Sequence, residues 1–284
     1  MLPMEMLPTI TIGVGAPHAV PLQVTRLICG GNPFSGFSHV SGELDQAMIE
    51  YYTMPRLQAI LTECWAQGIN TVQSRGDRHQ MRMYLEHRLG GGKMQWIAQT
   101  ASEFADIRAN IGEIARYQPV AIYHHGTHTD NSWHTGKIDV VADMVKCIKD
   151  HGLLAGVGTH IPEVALYAEE HGWETDFYMC CFYNLARGYK SAPATEQNAY
   201  ARDRFPPEDP PKMTAVMRQV RKPCLGFKIM AASRRCGTPE QVRQTFREAF
   251  AAIKPTDAVV VGMFPRDKNQ VAENAAMVRE ILGS

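Results

Sequence analysis

The sequence predicts a (β/α)8 barrel, a TIM barrel, with a short β-hairpin ahead of it and an insertion after the sixth strand. Eight short apolar segments recur along the 284 residues, and a helix-like segment follows each of them. These segments are continuously apolar, as parallel strands buried on both faces must be. Eight such units match the size of one closed barrel, so we expect a single domain over residues 1–284. No strand leads into the glycine fingerprint of a doubly wound sheet, which ranks that alternative lower.

Composition narrows the classes of partner. The 29 basic and 29 acidic residues give a formal net charge of zero, without the basic surplus typical of nucleic-acid binding. No apolar run is long enough to span a membrane, and the N-terminus does not resemble a signal peptide. The seven cysteines form no CxxC pair, which favours reduced thiols. We therefore expect a cytoplasmic protein whose partner is a small molecule.

The first half of the chain supplies the hairpin and four strand–helix units. Pro55 favours the start of a helix, and Gly68 follows its end. The hairpin is expected at 9–14 and 18–23, the strands at 24–30, 69–73, 94–99 and 119–125, and the helices at 55–67, 80–89 and 102–117.

The second half continues the pattern after a helix at 137–151. Residues 186–211 interrupt it, because this segment is polar, rich in proline and too long for an ordinary connection, which predicts a lid or an insertion. The strands are expected at 153–157, 176–181, 224–228 and 258–261, and the helices at 162–171, 212–220, 239–253 and 267–282.

A cluster of histidines follows the fourth strand. His124, His125, His128 and Asp130 stand within seven residues of one another, at the strand end where barrel enzymes carry their chemistry. Side chains alternate along a strand, so only one of His124 and His125 faces the barrel mouth. We favour His125, which the turn at Gly126 puts last on the strand. His128 and Asp130 are expected in the loop that follows.

Polar residues end the other strands and complete a ring. Histidine suits acid–base chemistry at neutral pH, and Lys228, inside an apolar run, suits an anionic substrate or a nucleophilic role. The alternative is a divalent metal held by His125 and His160. We expect His125, Asp77, His160 and Lys228 to be catalytic, and Asn32, Gln73, Arg75, Gln99 and Asn184 to bind substrate.

The order of segments resembles the aldo-keto reductase superfamily over nearly the whole chain. The resemblance is carried by the hairpin and by residues 26–31 (RLICGG), 67–73 (QGINTVQ), 121–125 (AIYHH), 150–158 (DHGLLAGVG) and 261–274 (VGMFPRDKNQVAEN). It implies carbonyl reduction with NAD(P), with Arg266 and Lys268 near the cofactor phosphate.

Three of the four catalytic positions implied by this resemblance carry other residues. The family's histidine is matched by His125, whereas its aspartate, tyrosine and lysine are replaced by Gln73, Arg78 and Gln99. We therefore expect an enzyme that acts on a small polar carbonyl or hydroxyl compound, carbohydrate-derived compounds included, with a non-standard site around His125. The alternatives are a metal-dependent lyase, isomerase or hydrolase on the same barrel, and a ligand-binding pseudoenzyme.

Overall fold

The computed structural model describes residues 5–188 and 203–283. Eight parallel strands, β3 to β10, form a closed barrel in chain order, with β10 pairing β3 to complete the ring. A separate antiparallel hairpin, β1 with β2, precedes them. The predicted (β/α)8 barrel with its N-terminal hairpin is thereby confirmed. The strands are β1 Thr9–Ile12, β2 Leu22–Thr25, β3 Leu27–Gly30, β4 Thr71–Arg75, β5 Gln95–Gln99, β6 Ala121–His124, β7 Leu154–Thr159, β8 Phe177–Cys181, β9 Cys224–Phe227 and β10 Ala258–Gly262.

Helices surround the barrel and pack on it through apolar faces. In α6, Val141, Met144, Val145 and Ile148 are buried at helical spacing, whereas the opposite face is polar. The helices are α1 Gly42–Tyr51, α2 Met54–Ala66, α3 Arg78–Leu89, α4 Ile107–Ala115, α5 Gly126–His134, α6 Asp139–Asp150, α7 Pro162–Glu170, α8 Asp209–Gln219, α9 Pro239–Ala252 and α10 Gln270–Leu282, and 3-10 turns cover Asn32–Ser35 and Leu185–Gly188.

The inside of the barrel is a second apolar core. Ile28, Ile97, Phe177 and Leu225 are fully buried there, and the hairpin contributes Ile12 to the same cluster. A side chain at Gly13 would collide with Leu154, the first residue of β7. The hairpin therefore closes the amino-terminal end of the barrel.

Two helices lie where none was predicted, α1 and α5. The expectation that His128 and Asp130 belong to a loop is wrong, because both lie in α5. The sequence of α5, GTHTDNSWH, has no apolar periodicity, and its buried positions are Gly126, Thr129 and Asp130. Its helical state follows from tertiary contacts rather than from pattern.

Some predicted boundaries shift. The second hairpin strand is Leu22–Thr25 rather than 18–23. Of the predicted insertion at 186–211, residues 189–202 lie outside the described residues, and the segment ends within α8. All seven cysteines are free thiols. Within the described part of the chain, no helix combines the length and the apolar character that crossing a membrane requires.

Candidate functional site

A cavity of about 270 Å³ opens at the carboxyl ends of the barrel strands. Gly30, Gln99, Phe227 and Gly262, each the last residue of its strand, lie in its wall, which places the cavity at the barrel mouth. This is the end where (β/α)8 enzymes carry their active sites. Five residues that the sequence predicts for the site line this cavity, namely Asn32, Gln73, Gln99, Lys228 and Lys268.

Tyr123 joins two of the predicted glutamines on the cavity wall. The Nε2 amide of Gln73 donates a hydrogen bond of 2.8 Å to the Tyr123 hydroxyl, and Gln99 is the register partner of Tyr123 on the neighbouring strand. A side chain at Gly158 would lie 3.1 Å from the Tyr123 ring, so glycine leaves the ring its space. Tyr123 is not among the predicted site residues. It stands two residues before His125, so strand alternation already puts it on the same face.

Hydrogen bonds within the chain hold both the ring and the backbone N–H of His125. Its Nδ1 accepts a hydrogen bond of 3.1 Å from the backbone N–H of Thr127, which caps α5, and its own N–H donates to the Thr100 hydroxyl at 3.0 Å. The ring is buried and does not line the mouth cavity.

His124 points away from the barrel interior. Its Nδ1 lies 2.9 Å from the Thr129 hydroxyl. Burial, with the nearby His128 and His125, lowers the pKa of His124 to about 3. The ring is therefore neutral at physiological pH, and it does not line the mouth cavity either.

A cluster of charge borders the opposite side of the cavity. Lys228 follows β9 with a left-handed backbone (φ 59°), and its Nζ lies 3.5 Å from Asp203 Oδ2. The same carboxylate oxygen lies 3.0 Å from Nδ1 of His39, which also lines the cavity. Burial opposes the ionisation of Asp203, but the hydrogen bond from His39 and the charges of Lys228, His39 and His160 outweigh it and lower the pKa to about 2. Strained non-glycine backbone of this kind concentrates at functional sites.

The loops after β9 and β10 form a third wall with hydrogen-bond donors. Ser233, Lys268 and Gln270 line the cavity there. The Lys268 ammonium lies 2.9 Å from Glu273, and Phe264 N–H donates to the Gln270 side chain. Phosphate sites of (β/α)8 enzymes are often built from the loops after the last two strands. Arg266, the second residue predicted to bind cofactor, pairs with Asp267 and does not line the cavity.

Arg75 and Asp77 bind each other rather than the cavity. Arg75 Nε lies 3.2 Å from Asp77, its guanidinium also pairs with Glu103, and it lies over the ring of Phe37. Asp77 caps α3 by accepting from Gln80 N–H at 3.0 Å. Neither residue lines the mouth cavity.

His160 lies on the other side of Phe227, whose ring is 5.5 Å from its own. Its Nδ1 is 2.6 Å from the fully buried Asp130, which also accepts from the Thr159 hydroxyl at 2.7 Å. His160 and Asn184 line a separate cavity of about 490 Å³ between α7 and α8.

In the described part of the chain, the predicted metal pair, His125 and His160, has no third ligand. Among residues 5–188 and 203–283, no three His, Cys, Asp or Glu side chains are grouped so as to hold an ion. The Nδ1 atoms of His125 and His160 are both engaged by their own chain.

Comparison with known proteins supports the fold. No family model and no curated protein matches this sequence. The holo form of an aldo-keto reductase from Bacillus halodurans superposes with a TM-score of 0.57 at 14% identity, covering 96% of this chain and 91% of that chain. A truncated 3-deoxy-D-arabino-heptulosonate 7-phosphate synthase from Thermotoga maritima gives a TM-score of 0.55 at 11% identity, covering 96% and 94%. At these identities the likeness establishes the fold alone: the chain is a (β/α)8 barrel of the shape that aldo-keto reductases also adopt.

Proposed function

We propose that this protein is an enzyme that binds a small polar carbonyl or hydroxyl compound in the mouth cavity and exchanges a proton with its oxygen through Tyr123. The observation that carries the proposal is the hydrogen bond of 2.8 Å from Gln73 to the Tyr123 hydroxyl on the cavity wall. Gln73 holds the phenol oxygen of Tyr123 at the wall of the cavity that a substrate carbonyl would enter. A phenol is a group that can donate a proton to a carbonyl oxygen.

The other polar residues of the cavity support the same substrate class. Gln99 and Asn32 offer amides that hydrogen-bond hydroxyl groups, and Lys228 offers a positive charge toward an oxygen that gains negative charge. Apolar residues such as Phe227 and Val260 complete the wall. The acid–base role passes from His125 to Tyr123 because Tyr123, and not His125, lines the cavity. His125 then acts as a positioning residue that fixes the start of α5.

The donors in the loops after β9 and β10 fit a phosphate-bearing cofactor. Lys228, Lys268 and Ser233 line the cavity there, and lysine and serine are groups that bind phosphate oxygens. These residues would hold NAD(P), and the cofactor would supply a hydride. In this branch of the proposal, the protein shares with aldo-keto reductases the use of NAD(P) as well as the fold.

Turnover of short hydroxyaldehydes and hydroxyketones, beginning with glyceraldehyde and dihydroxyacetone, tests the role of Tyr123. We expect Tyr123→Phe to reduce kcat by about a hundredfold, because a positioned proton donor contributes about that much. Substrate affinity should change by about fivefold, the value of one hydrogen bond. Tyr167→Phe, at a half-buried tyrosine on α7 that does not line the cavity, is the matched control. Normal turnover by Tyr123→Phe would remove the role of Tyr123, and binding without turnover would identify a ligand-binding protein.

Titration with NADPH tests the cofactor branch separately. We expect Lys268→Ala to weaken binding by about tenfold, as expected for one charge-assisted contact. Arg266→Ala, which removes a neighbouring charge outside the cavity, should leave the affinity within about twofold. Absence of binding at millimolar NADPH would end this branch and leave the substrate site untouched.

A further inference from the structure

The wall of the mouth cavity carries a histidine that is paired with a buried carboxylate, His39 with Asp203. His39 lies in the loop before α1, lines the cavity, and has a left-handed backbone (φ 58°) that non-glycine residues rarely adopt. Its Nδ1 is 3.0 Å from Asp203 Oδ2, although 164 residues separate the two in sequence. The Asp203 side chain is almost fully buried.

The loop that carries His39 is fixed before any ligand arrives. The backbone N–H of Ser38 donates to Asp45 at 2.7 Å, and the N–H of Val40 donates to the Ser38 hydroxyl at 3.1 Å. Ser41 caps α1 by accepting from Leu44 N–H at 3.2 Å. His39 therefore stands on a rigid turn, as a group that must meet a substrate at one position requires.

Asp203 sets the chemical state of the His39 ring. With its pKa lowered to about 2, Asp203 is ionised at any working pH. A carboxylate at Nδ1 accepts the Nδ1 proton, which selects the tautomer whose Nε2 can take up a proton. This is the arrangement by which a carboxylate orients a histidine base and stabilises the imidazolium that forms.

The charges around His39 suit a base that works beside a developing oxyanion. Lys228, 3.5 Å from the same Asp203 oxygen, brings a positive charge to the cavity wall. Arg234 Nη1 lies 3.5 Å from the backbone oxygen of His39 and over the ring of Phe205.

We propose that His39, oriented by Asp203, is a catalytic base that removes the proton from the carbon next to the substrate carbonyl, so that the enzyme interconverts α-hydroxyaldehydes and α-hydroxyketones. The inference rests on the proposed function, since it uses the same cavity and the same proton donor, Tyr123. One cavity lined by both a tyrosine acid and a histidine base holds what keto–enol interconversion requires.

The reaction balances without a co-reactant. Nε2 of His39 takes the proton from the hydroxyl-bearing carbon, the electron pair of that C–H bond forms a C=C bond, and the carbonyl oxygen takes the Tyr123 proton. The enediol then returns the proton of its other hydroxyl to the Tyr123 oxygen as the new C=O forms. His39 delivers its proton to the former carbonyl carbon. Lys228 stabilises the negative charge on oxygen in both halves.

Deuterium incorporation at carbon tests the inference. The protein is incubated in D2O with glyceraldehyde, dihydroxyacetone and longer hydroxyaldehydes and hydroxyketones, and carbon-bound deuterium is followed by NMR while saturation-transfer NMR reports binding. We expect enzyme-dependent exchange at the carbon next to the carbonyl. His39→Gln should slow it by about a hundredfold. His171→Gln, at an exposed histidine, is the matched control.

Asp203→Asn separates a positioning role from a structural one. It should lower the kcat of exchange by about tenfold or more while KM stays within about threefold, because the base is misoriented but the cavity is kept. A rise in KM with kcat unchanged would overturn this role. Should His39→Gln fail to fold in a thermal melt, the Asp203→Asn split decides the case by itself.

The remaining outcomes separate this inference from the proposed function. Exchange at the unmodified rate in His39→Gln, or binding of hydroxycarbonyl compounds without any exchange, would overturn the inference and leave the proposed function standing. Absence of binding by every compound in the panel would overturn the proposed function itself.

Discussion

At the scale of single residues, Asp203 is a buried carboxylate that holds two side chains of the cavity wall, His39 and Lys228. It accepts from His39 at 3.0 Å and from Lys228 at 3.5 Å while almost fully buried. A buried carboxylate is stable only when paired in this way.

Acid should remove the stabilisation that the Asp203 carboxylate contributes. Folding lowers the pKa of Asp203 from about 3.9 in an unfolded chain to about 2, so the ionised group stabilises the fold above pH 4. That contribution, about 2 kcal/mol, is lost as the pH falls from about 4 to about 2. We expect Asp203→Asn to remove this part of the acid dependence, measured as the free energy of unfolding in urea between about pH 6 and about pH 2. Asp143→Asn, at an exposed aspartate, should keep the dependence, and an unchanged slope in Asp203→Asn would contradict the assignment.

Residues of the site differ in how far the sequence predicts them. Gln73, Gln99 and Lys228 are predicted because strand ends are visible as the ends of apolar runs, and Tyr123 follows from the same alternation. The pair of His39 and Asp203 is not predictable in this way, because a loop 164 residues away supplies the partner. Periodicity describes faces of helices and strands, and it has no counterpart for contacts between loops.

At the scale of elements, α5 is held in place by its polar residues. Asp130 in this helix is fully buried and accepts from the Thr159 hydroxyl, from the backbone N–H of His160 and from its ring. These bonds join α5 to the end of β7. They explain why a segment without apolar periodicity is helical.

Removing the charge of Asp130 should therefore loosen the whole helix. We expect Asp130→Asn to lower the free energy of unfolding by about 3 kcal/mol, because an amide cannot accept all three bonds and leaves a buried donor unpaired. Urea denaturation measures the loss, and hydrogen exchange should show it concentrated in residues 126–134. Asp150→Asn, at an exposed aspartate on α6, should stay within about 0.5 kcal/mol. A loss of that small size in Asp130→Asn would show that α5 does not depend on the carboxylate.

The barrel strands and most helices were predictable because their signals are local. A continuous apolar run predicts a strand buried on both faces, and glycine or proline indicates the ends of helices. α1 and α5 lack this signal: α1 buries only Met48, and α5 buries small or polar residues. Helices that are fixed by capping and buried hydrogen bonds are invisible to hydrophobic pattern.

At the scale of the whole molecule, the N-terminal hairpin closes the amino-terminal end of the barrel. Ile10 and Ile12 of β1 join the apolar cluster inside the barrel, against residues such as Leu154 and Phe177. The fold could be predicted by counting strands. The position of the hairpin could not, because the sequence pattern does not specify which end of the barrel the hairpin covers.

Shortening a buried side chain of the hairpin should destabilise the whole barrel. We expect Ile12→Ala to lower the free energy of unfolding by about 3 kcal/mol, the usual result of emptying a buried aliphatic site. Urea denaturation at neutral pH is the measurement, and Val20→Ala, at a valine that is 85% exposed in the same hairpin region, should cost about 0.5 kcal/mol or less. A loss of about 0.5 kcal/mol or less in Ile12→Ala would show that the hairpin does not stabilise the barrel.

The closed amino-terminal end of the barrel also determines the route by which substrate and product move. With the lower end of the barrel packed by side chains, anything that enters the mouth must leave through the same opening. Product and incoming substrate then compete for the same opening of the cavity. We expect each to inhibit the reaction of the other, and we expect turnover to slow as product accumulates even when the equilibrium still favours its formation.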